Sequence, residues 1–178
     1  MTRFKKIYIN DYCLYIKEHS DTPVVQMDSV EGKKGGKVLL TMHFTTPQFM
    51  LAFIRDANTS QSVIDIINRL YIELFPHVFN NLFPILLGDN GSEFSNPFAI
   101  EFDSQGNQRT KVFYCDPSAP YQKGAAENNH ELIRRVIPKG TSMDDLSQYD
   151  IIKLMSHINS YPRKKLGEKT PYKIYFTR

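Results

Sequence analysis

The order of apolar segments predicts an α/β protein, a mixed sheet with helices on both faces. Three strand-like runs, at 24–30, 37–44 and 49–55, follow one another with only turn-sized breaks. A helix-periodic segment then separates them from a fourth run, Ile85-Leu86-Leu87, and two helical segments close the chain. A length of 178 residues, 41% of them hydrophobic and 23% charged, suits one well-packed globular domain.

Each element has a local reason. Residues 10–19 place Tyr12, Tyr15 and Ile16 on one helical face, so residues 1–23 read as a linker or N-terminal helix ahead of a core spanning 24–178. Gly32-Lys33-Lys34-Gly35-Gly36 is a turn, and strands joined this tightly are expected to be antiparallel neighbours. Thr59 or Ser60 caps a helix in which Val63, Ile66, Ile67, Leu70 and Leu74 recur at spacings of three and four. That helix is expected to end near Phe75, ahead of Pro76. A strand at 85–87 reached through a helical crossover should run parallel to its partner. Residues 103–109 read as a hairpin tip before a strand at 111–115. Helices follow at 123–136, with Leu132, Ile133 and Val136 facing the core, and at 144–160.

No apolar run reaches the ~20 residues of a membrane span. The start, Met1-Thr2-Arg3-Phe4-Lys5-Lys6, lacks a signal peptide's apolar core. Cys13 and Cys115 have no metal-ligand spacing, so a cytoplasmic protein with reduced thiols and no membrane partner is expected. The net charge of +3 is unevenly spread. Residues 1–120 carry 11 Lys and Arg against 13 Asp and Glu, whereas residues 121–178 carry 11 against 6. A basic final third beside acids elsewhere fits a protein that handles phosphodiesters, and it also fits an ordinary solvated surface.

Three acids stand out. Asp28 interrupts the apolar run Val24-Val25-Gln26-Met27, where an unpaired carboxylate is costly; a metal would resolve that cost, and so would a lysine such as Lys33. Asp89 follows the fourth strand, a common ligand position in open α/β sheets, although Asp89-Asn90-Gly91 is equally a turn signal with Gly91 at positive φ. Glu127 falls early in a helix, as a ligand or as a partner of the helix dipole. Carboxylates on rigid elements suit Mg2+, which takes few protein ligands and keeps waters and phosphate oxygens.

The ordered motifs are Asp89-Asn90-Gly91-Ser92-Glu93-Phe94, Tyr121-Gln122-Lys123-Gly124-Ala125-Ala126-Glu127-Asn128, Glu131-Leu132-Ile133-Arg134-Arg135, Pro138-Lys139-Gly140-Thr141 and Tyr161-Pro162-Arg163-Lys164-Lys165-Leu166. Together they resemble the catalytic core of bacterial insertion-sequence transposases, the insertion-sequence-thirty group of the DDE transposase and retroviral integrase superfamily. The resemblance implies a ribonuclease H-like fold with a mixed five-stranded sheet flanked by helices. It implies that Asp28, Asp89 and Glu127 are the catalytic, metal-holding triad for two Mg2+ (or Mn2+) ions. The activity it implies is DNA cleavage and strand transfer at element ends and target, by a homo-oligomer in the bacterial cytoplasm. Arg163, Lys164 and Lys165 fall in the family's basic C-terminal motif, near DNA. Gly88 stands where the family usually has Ser or Thr, residues 103–109 look like an insertion, and the segment ahead of residue 24 is expected to be too short for the family's helix-turn-helix reader.

Around the triad, Lys123 and Arg134 are phosphate-contact candidates or parts of a solvated helix face. His130 assists at the site or is an ordinary polar residue. Glu93 is an outer acid or a turn residue, and Tyr121 stacks on a base or packs on the core. Two other readings remain: a ribonuclease H-like nuclease that cuts without joining, and an inactive DNA-binding or oligomerisation remnant.

Overall fold

Five strands form one mixed sheet: β1 (Val24–Glu31), β2 (Val38–Phe44), β3 (Phe49–Arg55), β4 (Ile85–Gly88) and β5 (Lys111–Tyr114), in the order β3-β2-β1-β4-β5. The computed structural model describes residues 6–116 and 124–177, with the backbone alone for 124–128. β2 and β3 are antiparallel, with Val38 opposite Arg55. β1 and β4 are parallel, with Val24 opposite Ile85, as are β4 and β5. Both pairing senses are those that the connection lengths predict.

The chain forms two compact units, one of residues 1–27 and 59–122, the other of residues 28–58 and 123–178. In the first, α1 (Ile9–Glu18) lays Ile9, Tyr12, Tyr15 and Ile16 against Ile85, Leu87, Phe113 and Cys115. α2 (Ser60–Glu73) is capped by Thr59, whose side chain accepts from the Ser62 amide, and it buries Val63, Ile66, Ile67 and Leu70. Pro76 does not merely stop that helix. It starts another, α3 (Pro76–Leu82), because a proline at the first helical position has no amide to waste, and Phe75 turns the corner at φ 62°. The 103–109 segment is a tip, closed by the antiparallel bridge Phe102–Gln108, with Asp103 accepting from the Gln105 and Asn107 amides. Its leading arm is a short helix, α4 (Pro97–Glu101), rather than a strand.

In the second unit, α5 (Gly124–Val136) and α6 (Gln148–Asn159) cover Val30, Leu39, Met50 and Ala52 with Ile133, Ile151, Leu154, Met155 and Ile158. Ile133 and Leu132 face this core as the periodicity predicts, but Val136 is 64% exposed and Ile137 takes the inward place. α6 starts later than its apolar pattern, at the Ser147–Asp150 capping box. Asp144 stays outside the helix because its carboxylate accepts from the Lys37 amide and from Ser142. A final helix, α7 (Pro171–Phe176), brings Tyr172, Tyr175 and Phe176 onto Phe49.

β3 is an edge strand, and α6 occupies the outward-facing groups of its backbone. Asn159 accepts from the Met50 amide at 2.9 Å and donates to the Met50 carbonyl at 2.8 Å. Gln148 accepts from the Ile54 amide at 2.9 Å and donates to the Ala52 carbonyl at 3.0 Å. Two side-chain amides thus continue the ladder and remove an edge that would otherwise invite another chain. Asn159 is 1% exposed, so Asn159→Ala strands two buried polar groups and is expected to cost about 2–4 kcal/mol in urea unfolding. Gln148 is partly open to water, so Gln148→Ala should cost about 1 kcal/mol or less; equal losses would refute the edge-capping account.

His43, in the middle of β2, is fully buried with neither ring nitrogen hydrogen-bonded. Burial first, then neighbouring His130 and Arg163, lowers its pKa from 6.5 to about 4. An unfolded chain takes up this proton near pH 6.5 while the folded chain resists it down to about pH 4. Stability therefore falls as pH drops through that window, by on the order of 3 kcal/mol, and the full contribution is present above it. Urea titrations from pH 4 to pH 7 should show a shallower slope for His43→Leu than for the parent; an unchanged slope would mean His43 is protonated in the fold.

Candidate active site

Asp28 sits where β1 changes from buried to half-buried: Val25, Gln26 and Met27 are buried, Asp28 and Ser29 partly open. Its Oδ1 accepts from the Ser29 amide at 2.8 Å, and its backbone carbonyl accepts from the Thr41 hydroxyl at 3.2 Å. Its Oδ2 lies 3.8 Å from Nδ1 of His130. His130 Nε2 is 3.0 Å from Thr41 Oγ1, so the expected polar bystander instead bridges α5 to β1 and β2. One residue on, the buried Arg55 donates to Ser29 Oγ at 2.8 Å.

The rest of α5 is pinned in the same unit. Asn129 Nδ2 donates to the Gln48 carbonyl at 3.3 Å and Oδ1 accepts from Arg163 Nη2 at 2.8 Å. Arg163 also donates to the Ile158 carbonyl at 2.9 Å, and burial lowers its pKa. Arg134 donates to the Glu31 carbonyl at 2.7 Å, at the far end of β1. Glu127 lies on α5, but its side chain falls outside the described residues, as do Lys123 and Tyr121 altogether. Lys164 and Lys165 are exposed, on a single 3-10 turn.

Asp89 belongs to the first unit, directly after β4, at the carboxyl end of parallel strands. Its Oδ1 accepts from the Gly91 amide at 2.8 Å. Gly91 is needed for space and not for a positive φ: it adopts φ −52°, and a Cβ would lie 2.2 Å from Glu93 Oε2 and 2.9 Å from Asp89 Oδ1. The two carboxylates therefore approach each other around a residue with no side chain. Glu93 is buried, so it is more than a surface turn residue. A Cβ at Gly88 would meet only ordinary contact with the Phe94 ring, at 3.6 Å, so the glycine there disturbs no ligand.

Lys6 completes this cluster. Its Nζ donates to Asn90 Oδ1 at 3.2 Å and lies 4.3 Å over the Tyr114 ring, while Asn90 Nδ2 donates to the Cys115 carbonyl at 2.7 Å. Burial lowers the Lys6 pKa, against Asp89 and Glu93, whose charges raise it. No motif marks Lys6. Thr41 had a readable signal: with His43 it is one of two polar residues, two apart, in an otherwise apolar strand, so both share a face.

Among the described residues no three His, Cys, Asp or Glu side chains are grouped to hold a metal ion, a tally that leaves out the carboxylate of Glu127. The donor chemistry of Asp28 and Asp89 does fit Mg2+ or Mn2+: both offer carboxylate oxygens, each with one oxygen oriented by a neighbouring backbone amide. No helix of the described residues is long and apolar enough to cross a membrane.

No family model matches the sequence. Over 108 residues, 61% of the chain, it is 32% identical to the transposase InsI for insertion sequence element IS30A of Escherichia coli strain K12. The matched region spans 27% of that protein, so the chain corresponds to about a quarter of this relative's length. The structure superposes on the catalytic core domain of BIV integrase with a TM-score of 0.52 at 19% identity, covering 86% of this chain and 93% of that one. It superposes on a chain of a simian T-cell lymphotropic virus intasome, solved with the PP2A regulatory subunit B56 gamma, with a TM-score of 0.61 at 13% identity, covering 87% and 54%. The structural matches establish the ribonuclease H-like fold seen in integrase catalytic cores, and over 61% of the chain the sequence is similar to an insertion-sequence transposase.

Proposed function

We propose that this chain is the catalytic core of a DDE transposase, cutting DNA at element ends and joining the freed 3′-hydroxyl to a target, with Asp28, Asp89 and Glu127 holding two Mg2+ (or Mn2+) ions. The observation that carries the reading is the sequence similarity to an insertion-sequence transposase in a chain with an integrase-core fold. Asp89 at the carboxyl end of β4 supports it, since open α/β sheets place ligands there. The ions would supply activation of the attacking water or 3′-hydroxyl and charge relief at the departing oxygen. The chain's own part is to hold the carboxylates still. The Ser29 amide orients Asp28, the Gly91 amide orients Asp89, and Gly91 keeps the Asp89–Glu93 approach open.

DNA is the proposed partner, gripped through its phosphates by Lys123, Arg134, Arg163, Lys164 and Lys165, and the working form is proposed to be a homo-oligomer. The five cations differ in what else they do. Arg163 is committed to Asn129 and the Ile158 carbonyl, whereas Lys164 and Lys165 are exposed. Arg163→Ala should therefore lower stability by about 1–3 kcal/mol. Lys164→Ala and Lys165→Ala should leave the melting temperature unchanged and each reduce the salt slope of DNA binding by about one. Equal destabilisation by all three would remove the distinction.

The decisive assay is Mg2+- or Mn2+-dependent transfer of a labelled pre-cut DNA end into a plasmid. Asp89→Asn keeps an oxygen to accept from the Gly91 amide, so it should fold with parental stability and lose transfer by at least ~100-fold. Cutting without joining would favour the nuclease reading. Metal-independent, salt-sensitive DNA binding with neither reaction would favour the remnant.

A further inference from the structure

We propose that the exposed ring of Phe176 is a stacking platform for an unpaired DNA base, presented beside lysines that hold the flanking phosphates. The inference rests on the DNA reading above and adds a contact to a base, where that reading has contacts to phosphates.

Two of the three aromatic rings of α7 are taken up by packing. Tyr175 stacks on the buried Phe49, with centroids 4.7 Å and planes 23° apart, and meets Phe44 edge-on at 5.4 Å. Tyr172 meets Phe49 edge-on at 5.3 Å. Phe176 reaches Phe49 only by an edge contact at 6.3 Å and is 70% exposed. Its plane lies within 20° of that of Tyr172, at 5.9 Å, so the two rings form an offset stack whose outer member faces water. A flat partner laid on that ring would remove apolar surface from water and extend the stack.

Charge says what the partner carries. Residues 121–160 hold five Lys and Arg against five Asp and Glu, so the cationic excess of the last third falls wholly within 161–178, where six cations face Glu168 alone. Lys164, Lys165, Lys169 and Lys173 are exposed. Lys173 lies three positions before Phe176, a neighbour on the helix surface. The other three lie on a loop tied to the start of α7. There the Arg163 amide donates to the Lys169 carbonyl at 3.0 Å, and the Thr170 side chain accepts from the Lys173 amide at 3.1 Å. Ring and cations thus belong to one short, internally bonded stretch.

An aromatic face among cations suits a single strand: the cations follow the backbone, and the ring takes a base because every base has a π-face. A second copy of the chain meeting this face with its own would bring like charges together. A paired base is covered by its neighbours in the duplex, whereas an unpaired one carries the least unstacking cost.

The test is binding of the full chain, at one salt concentration, to a DNA duplex with a short unpaired 3′ tail and to the same duplex with an abasic tail of equal charge. Wild type should bind the base-bearing tail about 5–100-fold tighter than the abasic one. 2-Aminopurine placed in the tail should lose fluorescence as it stacks. Phe176→Ala and Phe176→Leu should both remove the preference and the quenching, and Phe176→Trp should keep them. Equal binding of the two tails, or Phe176→Leu behaving as wild type, would overturn the inference while leaving DNA binding intact. So would a self-association in sedimentation equilibrium that Phe176→Ala abolishes, since the face then belongs to another copy. No salt-sensitive binding to either duplex would overturn both the inference and the DNA reading beneath it. The abasic and 2-aminopurine measurements need no variant, so a misfolded Phe176→Ala cannot hide the answer.

Discussion

A half-buried carboxylate, set directly after the buried Val25-Gln26-Met27 stretch of β1, is the constraint around which the second unit is arranged. Leaving Asp28 half-buried and unpaired would cost several kcal/mol. The chain answers with the Ser29 amide on one oxygen, His130 near the other, and the buried Arg55 one residue away on Ser29. Each answer draws in an element. Arg55 ends β3, Thr41 lies in the middle of β2, and His130 lies on α5. The hydrophobic cluster under α5 and α6 supplies the bulk of the stabilisation, but it has no direction; the polar contacts around Asp28 set which residues of α5 face the sheet. Thr41 is central because its single hydroxyl joins a β1 carbonyl to an α5 ring, so that strand and helix cannot slide without breaking one of the two bonds.

The first unit solves a related problem by omission. Asp89 and Glu93 come together because Gly91 has no side chain to keep them apart. Lys6 answers the two negative charges from a different stretch of chain, against the aromatic face of Tyr114. A lysine in that position is both desolvated and attracted, and burial is the larger effect, so its ammonium is easier to deprotonate than a surface lysine. Its hydrogen bond to Asn90 also explains why the residue between Asp89 and Gly91 is an amide: Asn90 accepts from Lys6 and donates to Cys115, which an aspartate cannot do.

Much of this architecture was legible because periodicity and turn chemistry are local. The β2–β3 hairpin, the parallel run of β4 beside β1, α2 with its Thr59 cap and the inward Ile133 all follow from spacing and connection length. Pro76 ended α2 as expected, and it also starts α3, which its local reading as a stop left out. The misreadings share a cause: Asp144 was helix-compatible locally but is engaged by the Lys37 amide, 107 residues away. Gly91 matched a positive-φ turn locally, while its true reason is the Glu93 carboxylate. Of the site, Asp28 and Asp89 were conspicuous as acids ending or interrupting apolar runs, whereas Lys6 and Thr41 act only through partners distant in sequence.

The same partition applies to the positive charge of the last third. Counted along the chain, residues 121–178 carry an excess of five cations, yet that excess is not all available to a polyanion. Arg163 has two donor contacts inside its own unit and Arg134 has one, on the carbonyl that ends β1. An arginine held this way keeps its charge but loses the freedom to follow a phosphate, so it shapes the local potential more than it grips. Lys164 and Lys165 keep both charge and freedom. Here the planar fork of Arg163 anchors a side-chain amide and a backbone carbonyl of the fold, whereas Lys164 and Lys165 remain mobile point charges in solvent.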